Sequence, residues 1–208
     1  MRADDTSIPV WDAFIRIFHW ALVLLFVLSY LTGESNREVH EWSGYGIAAL
    51  LVARIAWGFM GRGHARFASF VRGPGRVTRY VRDMLGGARE RFVGHNPLGG
   101  WGVLAMLAGL VAAVVTGMVM LAADYHEGPL AAFAASLPPE ETAKWIHETA
   151  VNVMLVLIAV HLAGVAVHWL KFRENIVRSM FTGRKPVSPA AVDADASAAR
   201  SGQDGSAE

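Results

Sequence analysis

Four apolar runs constrain this chain more than any other feature. They cover about Phe14 to Leu31, Ser43 to Met60, Leu98 to Ala122 and Trp145 to Leu170. A helix rises about 1.5 Å per residue, so each run is long enough to cross most or all of a hydrocarbon core about 30 Å thick. Together they take up nearly half of 208 residues, of which 53% are hydrophobic, and they leave little chain for a soluble domain. The expected fold is an all-α integral membrane protein, a four-helix transmembrane bundle spanning residues 13–185. Residues 1–12 form a short leading segment. From Pro186 to Glu208 the chain is rich in Ala, Ser, Asp and Gly and has too few apolar side chains to build a core, so a disordered tail is expected there. The first run is read as a retained span. Asp4, Asp5 and Asp12 outweigh Arg2 ahead of it, and Gly33-Glu34-Ser35-Asn36 follows it in place of a small-residue cleavage pattern.

The loops set the orientation. Residues 61–96 hold Arg62, Arg66, Arg72, Arg76, Arg79, Arg82, Arg89 and Arg91 against Asp83 and Glu90. The loop after the third run holds Asp124, Glu127, Glu140 and Glu141 against Lys144, and the segment after the fourth is basic again with Lys171, Arg173, Arg178, Arg184 and Lys185. Because Lys and Arg concentrate in cytoplasmic loops, the N and C termini and the arginine loop are expected to be cytoplasmic. A short helix around Arg76 to Leu85 is expected at the membrane surface. Its arginines follow either from the positive-inside rule or from a docking patch for an anionic partner or lipid.

Histidines inside apolar runs are costly and tend to be functional. His147 and His161 are fourteen residues apart, which on a helix places them on one face about 40° apart and roughly 21 Å apart along the axis. His40 opens the second run on the side where His147 opens the fourth. His19 lies one turn inside the first run, on the side where His161 lies. Depth therefore pairs His40 with His147 and His19 with His161, each pair drawn from two helices, as two stacked bis-histidine haems require. His168, seven residues past His161 on nearly the same face, stays open as an alternative partner for His19. Arg54, fourteen residues past His40, reaches the inner level, where a buried guanidinium needs anionic partners such as haem propionates; the alternative is snorkelling to the interface. Gly44, Gly46, Gly109 and Gly164 would leave room for a flat macrocycle.

The chain has no cysteine, which removes disulfides, thiolate metal sites, iron–sulfur clusters and covalent haem attachment. Paired histidines offer two ligands each, where zinc takes three or four from protein. There is no HExxH, no acidic pair within a span, no phosphate loop and no nucleophile motif. Soluble-enzyme chemistry and nucleic-acid binding have nothing to rest on.

A resemblance enters on these residues. Arg16-Ile17-Phe18-His19-Trp20, His40-Glu41-Trp42-Ser43-Gly44-Tyr45 leading to Arg54, Gly94-His95-Asn96-Pro97, Ile146-His147-Glu148-Thr149, His161 and the closing Glu174-Asn175-Ile176-Val177-Arg178-Ser179-Met180 are similar to the bacterial cytochrome b561 and Ni/Fe-hydrogenase b-type cytochrome superfamily, over roughly residues 10–185. The resemblance implies b-type haem, two per chain, ligated by His19, His40, His147 and His161, and favours His161 over His168. It implies transmembrane electron transfer in a respiratory chain, between membrane quinone and a periplasmic redox protein, either a c-type cytochrome or a hydrogenase-like enzyme. Other members of the superfamily accept electrons from quinol or act on superoxide, so a quinol- or superoxide-oxidising enzyme is the alternative, along with a haem-bearing membrane anchor subunit. Members that serve dimeric enzymes add a homodimer to the expectations. No quinone-binding residue is evident.

Overall fold

A computed structural model describes residues 6–87, 92, 94–172 and 175–187. The chain begins with strand β1 (Thr6–Pro9) and continues through helices α1 (Ala13–Thr32), α2 (Arg37–Met60), α3 (Phe67–Phe70), α4 (Pro74–Leu85), α5 (Pro97–Tyr125), α6 (Glu140–Phe172) and α7 (Ile176–Thr182). Strand β2 (Arg184–Val187) closes the described chain. Helices α1, α2, α5 and α6 are the four long and apolar enough to cross a membrane. They match the four expected runs and extend beyond them where polar residues cap the ends.

Local chemistry sets those ends. Asp12 Oδ1 accepts from the Ile15 amide at 2.8 Å and starts α1. Asn36 does the same for Val39 at 3.1 Å, so α2 starts at Arg37, six residues ahead of its apolar run. Asn96 accepts from Gly99 at 2.6 Å, with Pro97 in the first helical position of α5. Each cap satisfies an amide that the first turn cannot pair for itself. Helix α6 carries Glu140 and Glu141 in its first turn and Lys171 in its last, the signs its dipole favours.

Many large apolar side chains on the long helices face outward. Leu24 is 68% exposed, Val52 70% and Val160 64%. In water this would be an aggregation hazard; in a bilayer it is the surface the solvent requires.

The fold divides into two compact units. One comprises Ile17–Ala56 with Gly102–Gly164, the central lengths of the four long helices. Its interior holds Ile47, Leu51, Leu107, Leu110, Ala113, Leu121 and Met154. Small residues set the helix spacing there: a side chain at Gly46 would meet Leu25 at 2.9 Å, and one at Gly109 would meet the Met154 sulfur at 3.1 Å. These two glycines thus serve helix packing, while Gly44 and Gly164 have no neighbouring atom within 4 Å.

The other unit comprises Met1–Arg16, Trp57–Trp101 and Val165–Glu208. Here β1 pairs antiparallel with β2, Thr6 opposite Val187 and Pro9 opposite Arg184, a small sheet that the helical reading did not anticipate. The Gly183 carbonyl accepts from Val10 (2.8 Å) and Trp11 (3.1 Å), the Trp11 indole donates to Ser179 Oγ (3.2 Å), and Arg16 donates to the Phe181 carbonyl (2.5 Å). The N- and C-terminal segments are therefore clasped together. The expected tail from residue 186 begins inside β2, and residues 188–208 lie outside the described residues.

Candidate cofactor site

The four expected histidines and Arg54 all fall in the unit of central helix lengths. His40 sits in the first turn of α2. Its Nδ1 lies 2.8 Å from the Ser29 carbonyl of α1 and 3.2 Å from Ser29 Oγ. A carbonyl can only accept, so Nδ1 carries the proton and Nε2 keeps its lone pair. His147 repeats the arrangement in the other half of the chain. Its Nδ1 lies 2.9 Å from the Ala113 carbonyl of α5 and 3.2 Å from Thr116 Oγ1. Thr116 directs its own hydroxyl proton to the Ala112 carbonyl at 2.7 Å, leaving a lone pair for the imidazole. A side chain at Gly117 would meet the His147 ring at 3.2 Å, so the missing Cβ is what lets this ring lie against α5.

The His40 and His147 rings lie with centroids 6.2 Å apart and planes crossing at 88°. A ring nitrogen lies about 1.1 Å from its centroid and bonds a metal at about 2 Å, so two imidazoles sharing one metal between them would have centroids up to about 6.2 Å apart. Separation, tautomer and donor chemistry all fit a metal held between two neutral imidazoles. Among the described residues no group of three or more His, Cys, Asp or Glu is placed to hold an ion. A pair suffices only where the metal brings its other ligands, as haem iron does.

His19 lies on the second turn of α1, half-buried, close enough to His161 of α6 for the two to interact electrostatically. Its Nδ1 is buried without a hydrogen-bond partner. His161 is exposed at the surface of α6, and His168 is half-buried. Arg54 is 4% exposed, so it does not snorkel.

The remaining histidines lie elsewhere. His95 is stacked between Trp11 (4.8 Å) and Phe70 (5.0 Å). His64 packs on Gly94, and His126 takes a left-handed turn after α5 (φ 57°).

Sequence reasoning missed the anchors of His40 and His147. Ser29 and Thr116 read as ordinary small polar residues of a span, and a carbonyl has no signature in sequence. It also missed Arg37, which bonds Glu41 and Glu127 and lies 3.6 Å over the Tyr125 ring, tying the start of α2 to the end of α5.

Fold and site together define a class: a multi-pass helical membrane protein that presents paired histidines within its bundle. The chain belongs to the prokaryotic cytochrome b561 family, whose model matches residues 10–183. Membership in a b-type cytochrome family implies haem b. The chain is similar to proteins named probable Ni/Fe-hydrogenase B-type cytochrome subunits. It is 26% identical to that of Rhizobium leguminosarum bv. viciae, over 86% of this chain and 89% of the relative. It is 24% identical to that of Bradyrhizobium diazoefficiens, over 86% of each. For Azotobacter vinelandii the identity is 28% over 60% of this chain and 62% of the relative. No solved structure matches the chain.

Proposed function

We propose that this protein is a di-haem b-type cytochrome that carries electrons across the bacterial inner membrane. In this reading His40 and His147 hold the outer haem and His19 and His161 the inner one. The electrons pass between membrane quinone and a periplasmic redox partner, a hydrogenase-like enzyme or a c-type cytochrome. Both termini and the arginine loop face the cytoplasm, in keeping with the basic loops on that side. The relatives' printed names favour an electron-transfer subunit over a quinol- or superoxide-oxidising enzyme or a structural anchor.

The observation that carries this reading is the crossed His40–His147 pair, with both Nδ1 protons committed to carbonyls of a neighbouring helix. Bound haem supplies reversible one-electron iron chemistry. The chain does the rest. His40 with His147 and His19 with His161 would supply two imidazoles to each haem, a ligand set that favours electron transfer over oxygen binding. The Ser29 and Ala113 carbonyls fix ring orientation and raise the basicity of the ligating nitrogen. The apolar helices exclude water. Arg54, buried at the inner level, offers its guanidinium to haem carboxylates.

The test is a reduced-minus-oxidised spectrum with pyridine-haemochrome quantification on wild type, His147→Ala and His161→Ala. The expected result is about two b haems per chain and the loss of one in each variant. Folded wild-type protein without haem would refute the reading. If His161→Ala keeps both haems while His168→Ala loses one, the inner ligand is His168.

A further inference from the structure

Helix α4 is sharply two-sided. Val77, Tyr80, Val81 and Met84 lie on one face and are half-buried, while Arg76, Arg79 and Arg82 project from the other and are exposed. The three arginines are spaced i, i+3, i+6, so they form a row of cations about 4.5 Å apart along the axis. None of them makes an ion pair among the described residues, and neither do the exposed Arg62 and Arg66 nearby. Asp83 is the sole acid among the described residues of 61–96.

The segment that leads into α4, Phe67 to Arg72, is tied to the ends of two membrane spans. Phe67 packs into the space left by the absent side chain of Gly58, near the end of α2. The Trp101 indole, in the first turns of α5, donates to the Arg72 carbonyl at 2.8 Å. A side chain at Gly100 would strike the Phe70 carbonyl at 2.6 Å, so that loop sits directly on α5. Leu85, at the end of α4, is 79% exposed. An amphipathic helix with an arginine face, held at the level where spans leave the hydrocarbon, lies where lipid headgroups are.

We propose that the arginine face of α4 is a binding surface for anionic phospholipid headgroups. The tethers to α2 and α5 favour lipid over a soluble acidic protein: they keep the row at headgroup depth, where phosphate is the abundant counter-charge. The positive-inside rule explains why arginines occur in this loop. It does not require three of them to share one face of a helix whose other face is apolar. The proposal is independent of haem binding.

The test uses detergent-solubilised full-length protein titrated with phosphatidylglycerol or phosphatidylcholine and read by native mass spectrometry. Wild type should prefer phosphatidylglycerol, and the preference should fall with added salt. Each basic group near a lipid surface contributes about five-fold, so Arg76→Gln/Arg79→Gln/Arg82→Gln should weaken phosphatidylglycerol binding by roughly a hundredfold and leave phosphatidylcholine unchanged. The corresponding triple lysine variant should bind like wild type, which separates charge from a folding defect. Equal binding of the two lipids by wild type, or an undiminished preference in the glutamine variant, would overturn the proposal. Full competition by millimolar inorganic phosphate would assign the row to a soluble anion, and capture of an acidic protein in place of lipid would assign it to a protein partner; either overturns it.

Discussion

Thr116→Val is the sharpest test of the way the proposed His40–His147 site is built. Valine keeps the shape of threonine and removes only the hydroxyl oxygen 3.2 Å from His147 Nδ1. The ring keeps its shorter bond to the Ala113 carbonyl at 2.9 Å, so its tautomer and position are retained. What changes is the electron density on the ligating nitrogen. Two acceptors on one N–H make the imidazole a stronger donor, which stabilises ferric over ferrous iron; with one acceptor gone, the potential rises. A neutral hydrogen bond contributes about 1 kcal/mol net, and for one electron about 1.4 kcal/mol corresponds to about 59 mV. The bond is long and shared, and only its difference between oxidation states counts, so the expected rise is about 10–40 mV. In the proposed di-haem protein, potentiometric titration of the α-band resolves the two haems. One component should rise by that amount and the other should stay fixed, with haem content unchanged. A downward shift, or movement of both components equally, would refute the reasoning.

Three further outcomes are expected. The ring planes of His40 and His147 cross at 88°, and two imidazoles that held one haem in that relation would leave its iron d orbitals nearly degenerate; low-temperature electron paramagnetic resonance of oxidised protein should show a highly anisotropic low-spin signal, abolished by His147→Ala. Arg54 is buried, and Arg54→Leu should lower inner-haem retention during purification, while Arg54→Lys, which loses the planar fork, should restore it only in part; equal haem content in all three proteins would remove Arg54 from the site. Gly183 has φ +74° and closes α7, and a side chain there would lie 2.7 Å from the Trp11 carbonyl. Gly183→Val should therefore cost about 1–3 kcal/mol in backbone strain alone and loosen the clasp, read as faster proteolysis of the N-terminal segment with the haem spectrum intact.

Much of this was legible in the sequence because the bilayer limits the choices. Four apolar runs correspond to four long helices, but the caps at Asp12, Asn36 and Asn96 that set three of their starts were not singled out in the sequence. His40 and His147 were paired by depth along their helices, and their ring centroids lie 6.2 Å apart. The β1–β2 clasp was hidden because it depends on residues 6–9 and 184–187, far apart in sequence and too short to show a pattern. Gly117 was hidden for a different reason. Glycine is common in spans, and only the position of the His147 ring distinguishes it from Gly46 and Gly109, which set helix spacing.

The anchors of His40 and His147 share a rule. Ser29 lies on α1 and holds His40 on α2; the Ala113 carbonyl and Thr116 lie on α5 and hold His147 on α6. In each case the helix that fixes the ring is the one just before it in the chain, so each histidine is oriented within its own helical hairpin. Such an arrangement preorganises the ligands, because ring rotation is already restricted before a metal arrives. Joining the hairpins then has to fix only the distance between two rings whose tautomers and planes are set. Arg37 of α2, bonded to Glu127 and stacked on Tyr125 of α5, supplies that cross-hairpin tie three residues before His40, about one helical turn away.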